Sequence, residues 1–278
     1  MGSLTVLPVI KNLTKKILGA IGFEIRKVTA VPRGSFKGVL TNLKQNGIQP
    51  TTIIDVGAAF GSWSLQCAQT FPEVEYLLIE PLVEYQPALQ RAVSAIQNAN
   101  FLTCGISKEK GECTIYVHPD LVGSSFKEEH EPLTQQASIP RTILCKTIDT
   151  VCEEKRFQAP ILLKLDIQGS ELDAIDGAEK TLPHVAALIM EVSFLECVKG
   201  APLIAEIIQA MREKGFVPYD LFGIHYRPLD QALAQVDIVF VPTSSPLLAV
   251  KWYAQEHQRA QMNKKFIEQL KKESVWNH

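Results

Sequence analysis

The sequence predicts an α/β fold in which a mostly parallel sheet is covered by helices on both faces. Between residues 50 and 240, short apolar runs alternate with stretches of helical spacing, the pattern of parallel strands joined by crossover helices. The chain has 278 residues, of which 46% are hydrophobic and 21% charged, so it can bury a core without disulfide or metal support. In addition, four of the apolar runs end in a carboxylate.

The expected elements follow from these runs and spacings. Strands are predicted over residues 51–57, 74–80, 98–106, 159–167, 184–192, 216–220 and 236–241. Helices are predicted over residues 62–69, 84–97, 170–182 and 202–214. Two extra strands, 112–118 and 141–149, interrupt the alternation. Because long connections are usually functional, we expect the polar loop 119–140 between them to cover a ligand, with Gly123, Ser124 and Ser125 facing the site.

The ends of the chain are basic, whereas its body is acidic. Residues 1–50 carry eight Lys or Arg against one acid, and residues 251–278 carry six against three. Apolar spacing over residues 4–21 predicts an amphipathic helix, and residues 247–273 predict a polar one. We therefore divide the chain into a basic helical extension (1–48), a central domain (49–245) and a C-terminal helix (246–278). The terminal helices are candidates for contacts in a homo-oligomer.

Composition disfavours several classes of protein. A net charge of −2 argues against a general nucleic-acid binder. Lysines interrupt the N-terminal apolar run well before the roughly 20 residues of a membrane span, and no secretory signal is predicted. The six cysteines show no CxxC spacing, which favours free thiols in the cytoplasm over a zinc or dithiol site. No metal is predicted, because histidines and carboxylates lack the spacing of metal ligands.

Four predicted parallel strands end in an acidic residue: Asp55, Glu80, Asp166 and Glu191. The carboxyl ends of parallel strands lie at one edge of a sheet, where α/β proteins bind ligands. Four carboxylates there repel a polyphosphate and favour a ligand with hydroxyls, an amine or a positive charge.

The first strand leads into a glycine turn, Gly57-Ala58-Ala59-Phe60-Gly61. Gly57 permits a tight turn, and Gly61 lets the next helix start close to a ligand. Glu80, nineteen residues after Gly61, is placed to bind ribose hydroxyls. The pattern fits an NAD-binding fold as well as a methyl-donor site. Asp55 favours the methyl-donor site, because a carboxylate just before the turn can hold the ammonium group of S-adenosylmethionine.

On these residues the chain resembles the FkbM family of S-adenosylmethionine-dependent methyltransferases. The matching segments are 55–61, the pair Glu80-Pro81, and residues 164–172 (KLDIQGSEL), which are the most specific. The resemblance covers about residues 50–242. Ala59 departs from the family's usual Asn, and Gln168 stands where Glu is frequent.

The resemblance implies a class I methyltransferase (Rossmann-like) fold. Its seven-stranded sheet has the order 3-2-1-4-5-7-6, with the last strand antiparallel and residues 112–118 and 141–149 inserted after the third strand. It further implies S-adenosyl-L-methionine as donor and a hydroxyl of a sugar or secondary metabolite as acceptor, so a small molecule or glycan. N- or C-methylation fits the same fold. An NAD-dependent oxidoreductase and a non-catalytic adaptor recruited by its basic N-terminus are less favoured alternatives.

The resemblance also implies roles for individual residues. The expected donor-binding residues are Asp55, Gly57, Ala58, Gly61, Glu80, Pro81, Cys104, Gly105, Ile106, Asp166 and Gln168. Cys104 is expected to form a wall beside the adenine, since nothing near it in sequence lowers its pKa. The catalytic candidates are Asp166, Glu191 and His225. Asp166 could orient the acceptor hydroxyl, remove its proton or hold the next helix, whereas His225 is a candidate because an imidazole can remove a proton near neutral pH.

Overall fold

The computed structural model describes residues 31–130 and 138–273. The strands are β1 (Thr52–Val56), β2 (Glu75–Ile79), β3 (Ala99–Leu102), β4 (Gly105–Ile106), β5 (Gly111–Val117), β6 (Ile139–Lys146), β7 (Ile161–Leu165), β8 (Val185–Ser193), β9 (Phe216–Tyr226) and β10 (Leu233–Pro242). The helices are α1 (Phe36–Gln45), α2 (Ser62–Ala68), α3 (Gln86–Ala95), α4 (Ile148–Lys155), α5 (Glu171–Asp176), α6 (Ile204–Glu213) and α7 (Glu256–Lys272). The amphipathic helix expected over residues 4–21 lies outside the described residues.

The main sheet has seven strands in the order β3-β2-β1-β7-β8-β10-β9. β10 runs antiparallel to β8 and β9, and the other pairs are parallel. The predicted fold class is confirmed. Only the strand numbers differ from the prediction, because β4, β5 and β6 of the second sheet come between β3 and β7 along the chain. Counted within the main sheet alone, the order is 3-2-1-4-5-7-6.

The second sheet contains the inserted strands and corrects two predicted boundaries. Its order is β4-β6-β5, so the single strand predicted over 98–106 is in fact two strands in different sheets. The strand predicted over 141–149 ends at Lys146, where α4 follows. Thr147 caps that helix by accepting a hydrogen bond from the Thr150 N–H at 3.0 Å, and such a cap favours helix over strand.

Helices cover both faces of the main sheet, as predicted. Successive side chains of a strand point to opposite faces, so Ile54 and Val56 pack beneath α4, α5 and α6. Ile53 packs on the other face, with α1, α2 and α3. Both layers are apolar, and the sheet between them is largely buried.

Helix α1 belongs to this core although it falls within the predicted extension 1–48. Its side chains Val39, Leu40 and Leu43 are fully buried, and the hydroxyl of Ser35 caps its first turn by accepting from the Gly38 N–H at 3.2 Å. The described part of the extension therefore packs on the central domain. At the other end of the chain, α7 buries no residue, and the oligomer contacts expected there stay a prediction.

Gly61 has a packing role that the sequence did not predict. Its φ of +74° is in the left-handed region, and a Cβ there would lie 2.6 Å from the Cβ of Ala92 in α3 and 3.1 Å from Leu78 Cδ2. Glycine therefore lets the start of α2 approach α3.

We predict that Gly61→Ala destabilises the fold by about 2 kcal/mol or more, because overpacking adds to backbone strain. The matched control is Gly47→Ala, where φ is +100° but nothing lies within 4 Å of the added carbon. Urea unfolding of both variants would separate the two contributions. Equal losses in the two variants would show that contact with α3 is not the reason for Gly61.

Candidate active site at the carboxyl ends of the strands

A cleft with about 810 Å³ of empty space opens at the edge of the sheet where β1, β2, β7 and β8 end. This is the edge at which the strand-end carboxylates were predicted to meet. The predicted site residues that line the cleft are Gly57, Glu80, Pro81, Cys104, Gly105, Ile106, Asp166, Gln168 and Glu191.

Four predicted residues do not line the cleft. Asp55 is only 1% exposed and lies beneath the cleft, Ala58 is buried in the core, and Gly61 packs on α3. His225 is exposed on β9, an edge strand of the sheet, instead of lying in a loop between strands. The strand predicted to end at residue 220 continues to Tyr226 and includes His225.

Glu80 lies at the end of β2 with its carboxylate in the cleft wall and only 5% exposed. One oxygen accepts the Ala59 N–H at 2.9 Å, and the other accepts the Leu82 N–H at 3.0 Å. Burial raises the pKa of Glu80, and the two backbone donors partly offset that rise. Since each carboxylate oxygen has two lone pairs, both can still accept a hydroxyl proton from a ligand.

The glycine turn crosses the end of β7 at very close range. Gly57 has a φ of +78°, and a Cβ there would lie 1.8 Å from the carbonyl oxygen of Asp166. Any side chain would push the turn away from the strand. Gly57 thus brings the backbone of the turn next to Asp166, and the following Ala59 also lines the cleft.

Lys164 is buried below this turn and joins three parts of the site. Its Nζ lies 3.4 Å from Asp55 Oδ1 and 3.1 Å from Asp166 Oδ2, and it donates to the Gly57 carbonyl at 3.3 Å. Burial opposes its charge, but Asp166 and Asp55 outweigh burial and raise the pKa of Lys164. Asp55 therefore supports the cleft from beneath, with its other oxygen accepting from the Ser64 hydroxyl at 2.6 Å.

Asp166 and Glu191 meet through the amide of Gln168. The Gln168 Nε2 donates to Asp166 Oδ1 at 3.2 Å and to Glu191 Oε2 at 2.8 Å. Gln235 donates to the same Glu191 oxygen at 2.8 Å. Burial, with the nearby carboxylates Asp166 and Asp237, raises the pKa of Glu191 to about 9. A protonated Glu191 is a hydrogen-bond donor at neutral pH and a poor proton acceptor.

A buried glutamate shapes the loop that carries Gln168. The carboxylate of Glu171 accepts the N–H groups of Ile167 and Gly169, both at 3.1 Å. This pairing closes the loop between β7 and α5. Burial, only partly offset by these donors, raises the pKa of Glu171 to about 7.

The predicted lid lies over the cleft. Leu121, Val122, Ser124, Ser125 and Phe126 line it, whereas Gly123 does not. The buried hydroxyl of Ser125 donates to the Gln168 carbonyl at 2.6 Å, which ties the lid to the β7 loop. Residues 131–137 of the same loop lie outside the described part of the chain.

Cys104 forms part of the wall, as predicted, and is unsuited to nucleophilic attack. Burial raises the pKa of its thiol to about 11, so it stays protonated at neutral pH. Among residues 31–130 and 138–273, no group of three or more His, Cys, Asp or Glu is arranged to hold a metal ion.

Comparison with known families identifies the domain that contains this cleft. Residues 55–218 match the model of the methyltransferase FkbM domain. This chain belongs to the FkbM methyltransferase family. The family resemblance predicted from the sequence is thereby confirmed.

Curated relatives of this family member are distant. Methyltransferase sdnD of Sordaria araneosa is 24% identical over 156 residues, which cover 46% of this chain and 60% of that protein. Methyltransferase 1 of Beauveria bassiana (strain ARSEF 2860) is 21% identical over 144 residues, covering 46% and 58%. The chain thus spans about three fifths of the length of the curated relatives it matches.

Solved structures of other methyltransferases are also similar. Magnesium protoporphyrin IX methyltransferase (ChlM) from Synechocystis PCC 6803, solved with bound SAM, is 12% identical with a TM-score of 0.41, covering 84% of this chain and 96% of that one. Precorrin-6y C5,15-methyltransferase from Geobacter metallireducens GS-15 is 9% identical with a TM-score of 0.39, covering 78% and 93%. Within the described residues of this FkbM member, no helix is long and apolar enough to cross a bilayer.

Two residues of the site escaped the prediction from sequence. Lys164 was named only as part of the family motif. Its place inside an apolar strand could have predicted a buried, paired lysine, because a buried lysine needs a partner. Tyr85 lines the cleft, is 2% exposed, and has a buried hydroxyl without a hydrogen-bond partner among the described residues. Nothing in its sequence neighbourhood distinguishes it from an ordinary core tyrosine.

We predict that Glu171→Gln stabilises the protein more at pH 8 than at pH 5. The pKa of this carboxyl is about 7 in the folded protein, against an ordinary value of 4.5, so ionisation costs wild-type stability as pH rises between these values. The amide does not ionise and can still accept both backbone N–H groups. The gain should grow by on the order of 2 kcal/mol between the two pH values.

Urea unfolding at both pH values would measure this difference. Glu179→Gln, at a charge that is 75% exposed, serves as the control and should show no comparable trend. A wild-type-like pH profile in Glu171→Gln would contradict the burial cost assigned to this carboxyl.

Proposed function

We propose that this protein is an S-adenosylmethionine-dependent methyltransferase that methylates a hydroxyl group of a small molecule or glycan. One observation carries the proposal: in a chain of this family, Gly57, Glu80 and Asp166 line a single cleft. Together they offer a close backbone turn, a carboxylate for ribose hydroxyls and a carboxylate beside the reacting groups.

The walls of the cleft fit a nucleoside. Both oxygens of Glu80 are oriented by backbone N–H groups and retain lone pairs for two ribose hydroxyls. The hydroxyl of Tyr85, which has no hydrogen-bond partner among the described residues, can bond to the same ligand. That bond would satisfy a buried donor whose unmade hydrogen bond costs about 1–3 kcal/mol. Cys104 and Ile106 provide apolar contacts on which a base can lie.

The donor supplies a methyl group on a positively charged sulfur. In the transfer, the bond from sulfur to methyl breaks, the bond from oxygen to methyl forms, and the acceptor hydroxyl loses its proton. Asp166 is placed to orient that hydroxyl or accept its proton, because it lines the cleft beside Lys164. Glu191, protonated at neutral pH, would instead donate a hydrogen bond to an acceptor oxygen.

The cleft favours this donor over a dinucleotide. The carboxylates of Glu80 and Asp166 line it, and Lys164, the one buried cation beside them among the described residues, is already paired with two carboxylates. Such a lining disfavours a pyrophosphate and suits a cationic sulfur compound. This contrast makes the oxidoreductase alternative weaker than the methyltransferase.

We predict that S-adenosylhomocysteine binds the protein saturably in titration calorimetry, whereas NAD does not. Glu80→Gln should weaken that binding at least tenfold, because the carboxylate accepts charge-assisted hydrogen bonds from the ribose. Glu75→Gln, at the opposite end of β2, is the matched control and should bind as wild type does. Binding of NAD alone would refute the proposed function, and an unchanged affinity in Glu80→Gln would refute the role of that carboxylate.

A further inference from the structure

A second cavity lies on the α1–α2–α3 face of the main sheet, outside the cleft described above. It is open to solvent, contains about 770 Å³ of empty space, and its lining includes three aromatic side chains, Phe36, Trp63 and Phe222. The ring centroid of Phe36 lies 5.2 Å from that of Trp63 and 5.8 Å from that of Phe222. Three elements, α1, α2 and β9, thus bring their aromatic rings to one place.

The wall of this aromatic cavity also contains the carboxylate of Asp237. Asp237 is half-buried. Among the described residues, its carboxylate has no ion pair and accepts no hydrogen bond from a side chain or a backbone N–H. Gly223 lies against it with a φ of +58°, and a Cβ there would lie 2.2 Å from Asp237 Oδ2. Glycine therefore leaves the room that this carboxylate occupies.

The charges around Asp237 do not balance. Lys164 lies 5.9 Å from the ring centroid of Trp63, but its charge is already shared by Asp55 and Asp166. Burial, reinforced by Asp166 and opposed by Lys164, raises the pKa of Asp237 to about 7. A cation bound in the cavity would offset this cost and favour the ionised carboxylate.

The aromatic cavity adjoins the cleft through neighbouring strands. Asp237 on β10 is the register partner of Glu191 on β8, and side chains opposite each other in an antiparallel pair share a face with Cβ atoms about 5 Å apart. Glu191 lines the cleft. Asp237 therefore lies next to Glu191, on the same face of the sheet as this residue of the cleft wall.

We propose that this aromatic cavity binds an alkylammonium group carried by the methyl acceptor. The rings would contact the methyl and methylene groups of the cation, and Asp237 would pair with its charge, the combination that recognises substituted ammonium ions. The assignment of this ligand as part of the acceptor rests on the proposed function. It narrows the acceptor class to molecules with a basic or quaternary nitrogen in addition to the methylated oxygen.

The test uses choline and its neutral isostere, 3,3-dimethyl-1-butanol, as probes of the full chain. Saturation-transfer NMR would measure both affinities, with and without S-adenosylhomocysteine. We expect choline to bind at least tenfold more tightly than the neutral alcohol. Asp237→Asn should remove this preference while leaving the affinity for S-adenosylhomocysteine unchanged, and Trp63→Leu should weaken both probes.

The control is Asp176→Asn, a change at an exposed carboxylate on α5, which should bind both probes as wild type does. Equal binding of choline and the alcohol by wild type, or a preference that survives in Asp237→Asn, would overturn the inference. Failure of wild type to bind choline would overturn it as well, whether or not S-adenosylhomocysteine binds. Failure to bind S-adenosylhomocysteine would instead contradict the proposed function.

Discussion

The buried ammonium group of Lys164 is the interaction on which the architecture of the cleft depends. It lies between Asp55 of β1 and Asp166 at the end of β7 and donates to the carbonyl of Gly57. Asp55 and Lys164 are also register partners in neighbouring strands. A buried charge without its partner costs several kcal/mol, so the turn, the strand end and the lysine have to be placed together.

The electrostatic character of both cavities follows from this arrangement. Lys164 is paired with Asp55 and Asp166, whereas neither Glu191 nor Asp237 forms an ion pair among the described residues. Glu191 responds by holding its proton, since burial and its acidic neighbours raise its pKa to about 9. Asp237 lies closer to the aromatic cavity, where a ligand can supply the missing charge. Because the charge of Lys164 is shared by Asp55 and Asp166, Glu191 acts as a neutral hydrogen-bond donor and Asp237 is suited to bind a cation.

Much of the fold and of the cleft could be predicted from the sequence, because strand ends in a parallel sheet share one edge. Glu80, Asp166 and Glu191 lie in the cleft for that reason. Asp55 does not line the cleft. Its side chain is buried and points to the same face of the sheet as Ile53. Its position inside β1, one residue before the strand ends at Val56, keeps it beneath the glycine turn.

The remaining differences arise from contacts between distant parts of the chain. Gly61 was assigned to ligand binding, but the atoms it accommodates belong to α3 and β2, which local sequence does not reveal. His225 was predicted to lie between two strands, yet pairing with β10 extends the strand through it. Tyr85 and the aromatic cavity depend on tertiary packing of side chains whose local patterns are those of ordinary core residues.

A double-mutant cycle on Asp55→Asn and Lys164→Met tests the central role of the buried lysine most directly. The free energy of unfolding in urea would be measured for wild type, both single variants and the double variant. We expect the double variant to be more stable than the sum of the two single losses implies, with a coupling of about 2 kcal/mol. Additive losses would contradict the account, because they would show that the two charges do not act as one unit.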